Sequence, residues 1–308
     1  MKILHTADWH LGQTFYEYDR REEHFHFLEW LKQQIKQHEI DVLLIAGDVF
    51  DSPNPSAESQ RVYYRFLREV TSENPSLQIV IIAGNHDSAA RLEAPNPLLE
   101  DMNIIVRGTV RRNAEGDIDL QHFIVPLYTE GKVTAYCLAV PYLRQGDYPS
   151  AENYSKGVQQ LYEQLFNKVK EKGIPVVAMG HLQATGSEIS EDDRSERTVI
   201  GGLECVSPDA FNEAITYTAL GHLHRSQRVS HRENVRYSGT PMPMSFAEKN
   251  NASGVVMITI DTEGTNIEKL EFQPLAGLVS IPPEARPLEE VLQVIGELPD
   301  GDVTLRSP

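Results

Sequence analysis

At 308 residues, with 40% hydrophobic and 24% charged side chains, the chain has ordinary globular composition and room for one large domain or a large domain with a small companion. No apolar run approaches the roughly 20 residues that a membrane helix requires. The formal charge of −17 excludes a protein that coats nucleic acid through many Lys and Arg contacts, but not an enzyme whose carboxylates hold metal ions.

The chain opens on a short apolar run, Lys2 to Ala7, which Asp8 interrupts before it reaches the length of a signal-peptide core; it reads as the first strand of a cytoplasmic protein. Phe27, Leu28, Leu31 and Ile35 then recur at helical spacing within Arg21 to His38. A strand at Val42 to Ala46 precedes a helix over Ala57 to Val70 with Ser56 as its N-cap, and Gln78 to Ala83 is the next strand. Phe123 to Tyr128 and Val133 to Val140 read as strands, and Val158, Leu161, Leu165 and Val169 mark a helix that Gly173 ends. Strands follow at Pro175 to Met179 and Ile215 to Leu220, separated by a polar, acidic loop at Gly186 to Arg197, and then at Val235 to Ser238 and Gly254 to Ile260. Cys137 and Cys205 stand in neither a metal-ligand nor a redox spacing and read as small buried residues rather than a disulfide.

This alternation predicts an α/β fold of two packed sheets flanked by helices. After Pro274 the pattern changes to a strand-like Leu278 to Ile281, a Pro-Pro break, a helix near Leu288 to Leu298 and a short strand at Val303 to Leu305. The expected organisation is one domain over 1–273, with 274–308 as the opening of a second, truncated α/β domain.

Five short strands end in side chains of metal-ligand type: Asp8-Trp9-His10, Gly47-Asp48, Gly84-Asn85-His86-Asp87, Gly180-His181 and Gly221-His222-Leu223-His224. Ligands in α/β sheets bind beyond the carboxyl ends of strands, so the five clusters are expected to converge. Carboxylate, amide oxygen and imidazole without thiolate suit Mn²⁺, Fe²⁺ or Zn²⁺.

The ordered set D-x-H, G-D, G-N-H-D, G-H and G-H-x-H resembles the calcineurin-like metallophosphoesterase family over the first 250 or so residues. The opening K-I-L-H-T-A-D-W-H-L-G, then G-D-V-F-D-S-P-N-P and S-G-T-P at Ser238 to Pro241, resembles its SbcD-type bacterial nucleases more closely. The resemblance implies a four-layer fold of two mixed sheets flanked by helices, with the C-terminal segment beginning a small capping domain. It implies that Asp8, His10 and His224 hold one divalent ion, that Asn85, His181 and His222 hold the other, and that Asp48 bridges both, Mn²⁺ being the implied metal. His86 is then the candidate to bind the scissile phosphate and protonate the departing oxygen, with Asp51 orienting it. The family's activity is exonuclease on double strands and endonuclease on single strands and hairpins, as a homodimer with an SbcC-type coiled-coil ATPase, in DNA repair, recombination and replication. This sequence has no P-loop, so ATP hydrolysis would fall to that partner.

Other residues receive plainer readings. His24, His26, His38, His122 and His231 are expected to be solvated, His5 to be a buried hydrogen-bonded histidine, Trp9 to pack beneath the metal loops, and Met242 and Met244 to fill irregular core. Arg20-Arg21, Arg111-Arg112 and the run Arg225, Arg228, Arg232, Arg236 are basic clusters read chiefly as solvated faces and secondarily as DNA-phosphate contacts. A small-molecule phosphodiesterase or phosphomonoesterase is the enzymatic alternative, and a scaffold without metals the non-enzymatic one. All seven ligand positions and His86 are filled, which counts against the scaffold.

Overall fold

The computed structural model describes residues 1–15, 17–188, 205–280 and 286–297. One sheet has the order β14-β13-β1-β4-β5-β6, built from β1 (Lys2–Thr6), β4 (Val42–Ala46), β5 (Gln78–Ile82), β6 (Ile104–Arg107), β13 (Gly254–Asp261) and β14 (Gly264–Glu271). The other has the order β11-β12-β10-β9-β8-β7, from β7 (Ile124–Thr129), β8 (Lys132–Ala139), β9 (Val176–His181), β10 (Tyr217–Gly221), β11 (Gln227–Val229) and β12 (Arg232–Tyr237). A two-stranded ribbon, β2 (Thr14–Phe15) and β3 (Tyr18–Asp19), follows the first ligand loop.

Both large sheets are mixed. β1, β4, β5 and β6 run parallel, with β13 antiparallel to β1; β8, β9, β10 and β12 run parallel, with β7 and β11 antiparallel at the edges. Parallel pairing places the carboxyl ends of β1, β4 and β5 side by side, and those of β9 and β10 likewise.

The continuous apolar runs follow from burial on both faces. In β4 and β5, Leu43, Ile45, Ile79 and Ile81 face one core, which they share with Phe27, Leu31 and Ile35 of α1 (Arg21–Gln37) and Tyr63, Phe66 and Val70 of α2 (Ala57–Glu73). The alternate residues Val42, Leu44, Val80 and Ile82 face a second core between the sheets, with Cys137, Val177, Met179, Tyr217 and Ala219. Beneath the second sheet, α6 (Tyr154–Val169) supplies Val158, Leu161, Tyr162 and Leu165 to a third core. The result is the four-layer metallophosphoesterase architecture, and each strand and helix expected between Lys2 and Ile260 is present to within a few residues. Ser56 caps α2 by accepting from Ser59 N at 3.0 Å, and Gly173 closes the turn after α6 at φ 68°. Between those helices lie three short ones, α3 (Ala89–Glu93), α4 (Asn96–Leu99) and α5 (Leu120–Phe123).

At the C-terminal end a helix spans Leu288–Gly296 without burying any residue, while Leu278, Val279 and Ser280 are not in a strand. The expected strand at Val303 to Leu305 and most of the acidic loop lie outside the described residues. No helix among the described residues is long and apolar enough to cross a membrane.

Candidate metal centre

The five strand ends meet because the sheets are tied together at their carboxyl edges. Asp8 N donates to Gly47 O at 3.0 Å and His10 N to Asp48 O at 3.0 Å, which sets the first two ligand loops side by side. Across the sheets, His222 N donates to Asp8 Oδ1 at 2.9 Å and His181 Nδ1 lies 2.8 Å from Ala46 O. Glycine is required for this approach: a Cβ on Gly221 would stand 2.0 Å from Ala46 O, and one on Gly84 would stand 2.1 Å from Asp48 Oδ1.

All seven expected ligands, with His86 and Asp51, come together. Asp8, His10 and His224 form one group whose ligand atoms lie within 4.8 Å of one another, and Asp8, Asp48 and His181 form a second. Asn85 Oδ1 sits 2.9 Å from His181 Nε2 and 3.0 Å from His222 Nδ1. Asp48 adds Oδ2 at 3.2 Å from His181 Nε2 and 3.8 Å from His10 Nε2, so one carboxylate faces both halves of the site.

The hydrogen-bond pattern states what this cleft is built to hold. Ala46 O can only accept, so the His181 hydrogen is on Nδ1 and the Nε2 lone pair faces the Asp48 carboxylate and the Asn85 amide oxygen. Three acceptors converging in a buried place need a cation or a proton between them. Without a metal, a proton serves: burial pulls His181 down, but the Asp48 carboxylate outweighs it and the imidazole is raised to about 9. Burial likewise pushes Asp48 up, yet the charges of His181, His10 and His86 hold it well below the usual carboxylate range, while Asp8 is raised, chiefly by burial. Asp8 Oδ2 and His10 Nε2 are buried without a hydrogen-bond partner, which a coordinated ion would satisfy. The donor set therefore fits divalent metal.

Two supporting carboxylates escaped the sequence reading. Glu248, 1% exposed, accepts from His224 Nδ1 at 2.8 Å and from Met244 N at 2.8 Å, which fixes the His224 hydrogen on Nδ1 and turns Nε2 toward the cleft. Asp87 accepts from Gly84 N, Phe50 N and Val49 N at 2.9, 3.0 and 3.2 Å, pinning the second and third ligand loops to each other. Asp87 was visible as the last letter of G-N-H-D; Glu248 stands in no motif.

Asp51 and His86 meet in a different way from the expected one. His86 Nδ1 donates to the main-chain carbonyl of Asp51 at 3.0 Å, whereas the Asp51 carboxylate lies 3.2 Å from His10 Nδ1. His86 N also donates to Asp48 Oδ1 at 2.8 Å, and its ring packs 4.8 Å from that of His10. Trp9 is fully buried against Phe27 and Phe66, and His5 is buried with Nδ1 2.8 Å from Tyr217 Oη, both as expected. His24 and His122 are buried rather than solvated; His24 Nε2 bonds Trp9 O at 3.0 Å.

Two mixed sheets that deliver aspartate, asparagine and histidine to one cleft between their parallel strand ends define a metallophosphoesterase, a metal-dependent hydrolase. Residues 1–226 match the model of the family described as calcineurin-like phosphoesterase, and the chain belongs to that family and, within it, to the SbcD nuclease group. It is 38% identical over 311 residues to SbcD, the D component of the SbcCD nuclease, of Rhodobacter capsulatus, an alignment that covers 97% of this chain and 76% of that protein. The SbcD proteins of Escherichia coli K12 and Bacillus subtilis are 32% identical over 296 residues and 30% over 276, covering 70% and 66% of their lengths and 90% and 84% of this chain.

Proposed function

We propose that this chain is a manganese-dependent DNA nuclease that cleaves phosphodiesters at a two-metal centre, as an exonuclease on double strands and an endonuclease on single strands and hairpins. In this reading it is the catalytic subunit, working in the cytoplasm as a homodimer with an SbcC-type ATPase in DNA repair, recombination and replication. One domain over 1–273 carries the chemistry and 274–308 begins a capping domain. The observation that carries the chemistry is the convergence of Asn85 Oδ1, Asp48 Oδ2 and the His181 Nε2 lone pair on one buried point. The names of the relatives carry the substrate.

Asp8, His10 and His224 would hold one ion and Asn85, His181 and His222 the other, with Asp48 between them. When bound, the two ions supply charge neutralisation on the phosphate and acidify the attacking water. The protein's own part is positional. Glu248 and Ala46 O fix the tautomers of His224 and His181, so that neither ring has to reorganise when substrate enters. Because His86 Nδ1 gives its hydrogen to the Asp51 carbonyl, Nε2 is the atom that presents a proton to the departing oxygen.

The test incubates the protein and its His86→Ala variant with Mn²⁺ and labelled single-stranded, hairpin and duplex DNA, beside a simple aryl phosphodiester. Cleavage of DNA that the variant loses supports the reading. A protein that binds two metals and hydrolyses only the aryl ester would instead be a small-molecule phosphodiesterase, and one that binds no metal would end the proposal.

A further inference from the structure

The basic clusters that the sequence offers only secondarily for DNA contact are engaged with protein partners. Arg20 is 2% exposed and forks onto Glu23, Arg21 pairs with Asp19, and Arg111 pairs with Glu93. Arg225 pairs with Glu188, Arg228 and Arg236 both pair with Glu233, and Arg232 donates to the carbonyls of Pro208 and Phe211. Arg112 likewise donates to the carbonyls of Gly116 and Gly146. Each of these arginines already spends donors on a protein partner.

Arg144 is different. It is exposed, no carboxylate among the described residues pairs with it, and its guanidinium lies over the Tyr142 ring at 5.6 Å from the centroid. The Tyr142 ring in turn meets the ring of His181 edge-on, with centroids 6.2 Å apart. Tyr142 is held there from below: its main-chain N donates to Ala83 O at 2.8 Å, at the strand end that delivers Gly84-Asn85-His86. Arg144 N donates to Asp147 Oδ2 at 2.8 Å, so the segment that carries the guanidinium is itself a closed turn. A cation without a carboxylate partner therefore stands one aromatic ring away from the metal centre, in a chain with net charge −17. A cation stacked on a tyrosine keeps its in-plane N–H groups directed outward, and those are the groups that grip a phosphate.

We infer that Tyr142 and Arg144 form a clamp for a second phosphate of a nucleic-acid strand, one nucleotide from the phosphate that lies on the metal centre. This rests on the nuclease reading above and deepens it, because the clamp gives the site a reason to prefer a polynucleotide over a simple ester. Tyr142 is a positioning residue that aims the guanidinium, and Arg144 makes the contact.

The test compares thymidine 3′,5′-bisphosphate with thymidine 5′-monophosphate as competitive inhibitors of aryl phosphodiester hydrolysis in the wild type, Arg144→Gln, Arg144→Lys and Tyr142→Leu. The wild type should favour the bisphosphate about tenfold, the size of a charge-assisted contact at an exposed site. Arg144→Gln and Tyr142→Leu should lose that preference, and Arg144→Lys should recover part of it. Equilibrium binding of single-stranded DNA, read against salt, should show a log–log slope shallower by about 0.7 in Arg144→Gln. An unchanged inhibitor preference together with an unchanged slope, in a variant that melts like the wild type, would overturn the clamp. A wild type that shows the bisphosphate preference yet leaves DNA uncut would keep the clamp and overturn the nuclease reading.

Discussion

Replacing Glu248 by alanine is the sharpest probe of how the centre is built, because this carboxylate touches no substrate and yet fixes a ligand. It is buried, and it satisfies two donors, His224 Nδ1 and Met244 N, each at 2.8 Å. Removing it strands two buried N–H groups at about 1–3 kcal/mol each, so the apoprotein should lose roughly 2–6 kcal/mol. The effect on metal is separate. Without the carboxylate, His224 is no longer held as the Nδ1–H tautomer with Nε2 in the cleft, and losses of this kind cost about 10–100-fold in affinity. Glu248→Gln keeps one acceptor oxygen and should bind metal between the two. The assay is calorimetric titration of Mn²⁺ into each protein, with denaturant melts of the apo forms alongside. Two wild-type binding constants in Glu248→Ala would refute the tautomer assignment, whatever the variant's stability.

His86 is held by the main-chain carbonyl of Asp51, so Asp51→Asn should act only through the carboxylate's contact with His10 Nδ1: at saturating Mn²⁺ aryl phosphodiester turnover should fall less than about tenfold, whereas His86→Gln should fall about 10²–10⁴-fold, and equal losses at saturating metal would show that the Asp51 carboxylate orients His86 after all. His24 is held neutral by burial, aided by the charge of Arg20, and titrates at about 4 in the fold against 6.5 when unfolded. The unfolded state therefore binds the extra proton, so this contribution to stability is fully present above 6.5 and is lost as pH falls toward 4. At pH 4.5 the loss is roughly 2–3 kcal/mol, and denaturant melts at pH 7.5 and 4.5 should show His24→Gln losing that much less than the wild type. Adding Mn²⁺ at about a hundred times its dissociation constant should stabilise the fold by roughly 3 kcal/mol per site, raising Tm by several degrees in a thermal scan; no shift with metal shown to be bound would mean that the unfolded chain binds it as well.

The parts of this molecule that were legible in the sequence are those whose cause is local. A strand buried on both faces must be apolar at every position, and Val42 to Ala46 is; a ligand loop needs its donor beside a glycine, and Gly47-Asp48 and Gly221-His222 supply it. The sequence pattern does not mark β14, because an edge strand need not look apolar, nor β6, an apolar run too short to stand out. β14 carries Thr265, Asn266, Glu268 and Lys269 around Ile267 and Leu270, and β6 is only four residues long. His24 and His122 read as solvated because each lies on a surface-like or helical stretch; their burial comes from what the fold lays over them, a partner the sequence pattern does not record. Glu248 was invisible for the same reason. Its relation to His224 exists only once the loop from Gly239 to Lys249 folds back, where Thr240 N bonds His224 O at 3.0 Å and Arg20 reaches Pro243 O at 2.6 Å.

The backbone of the candidate ligand loops shows where the rigidity of the centre comes from. Four of the seven candidate ligands hold backbone that side chains seldom adopt: Asp8 at φ 55°, His10 at 46°, Asp48 at 48° and His222 at 100°. Each such residue costs of order 1–3 kcal/mol, a strain that persists only when the surroundings over-determine it. Here they do, through the Gly47 and Asp48 carbonyls that take the Asp8 and His10 amides, the Asp8 carboxylate that takes the His222 amide, and the Asp48 carboxylate that takes the amide of His86. The same carboxylates that face the cleft with one oxygen tie neighbouring loops together with the other. In the proposed centre Asp8 and Asp48 would thus be structural and ligating at once, so substitutions at these two positions should damage the fold as well as metal binding, whereas Glu248→Gln should perturb His224 without releasing the strained loops.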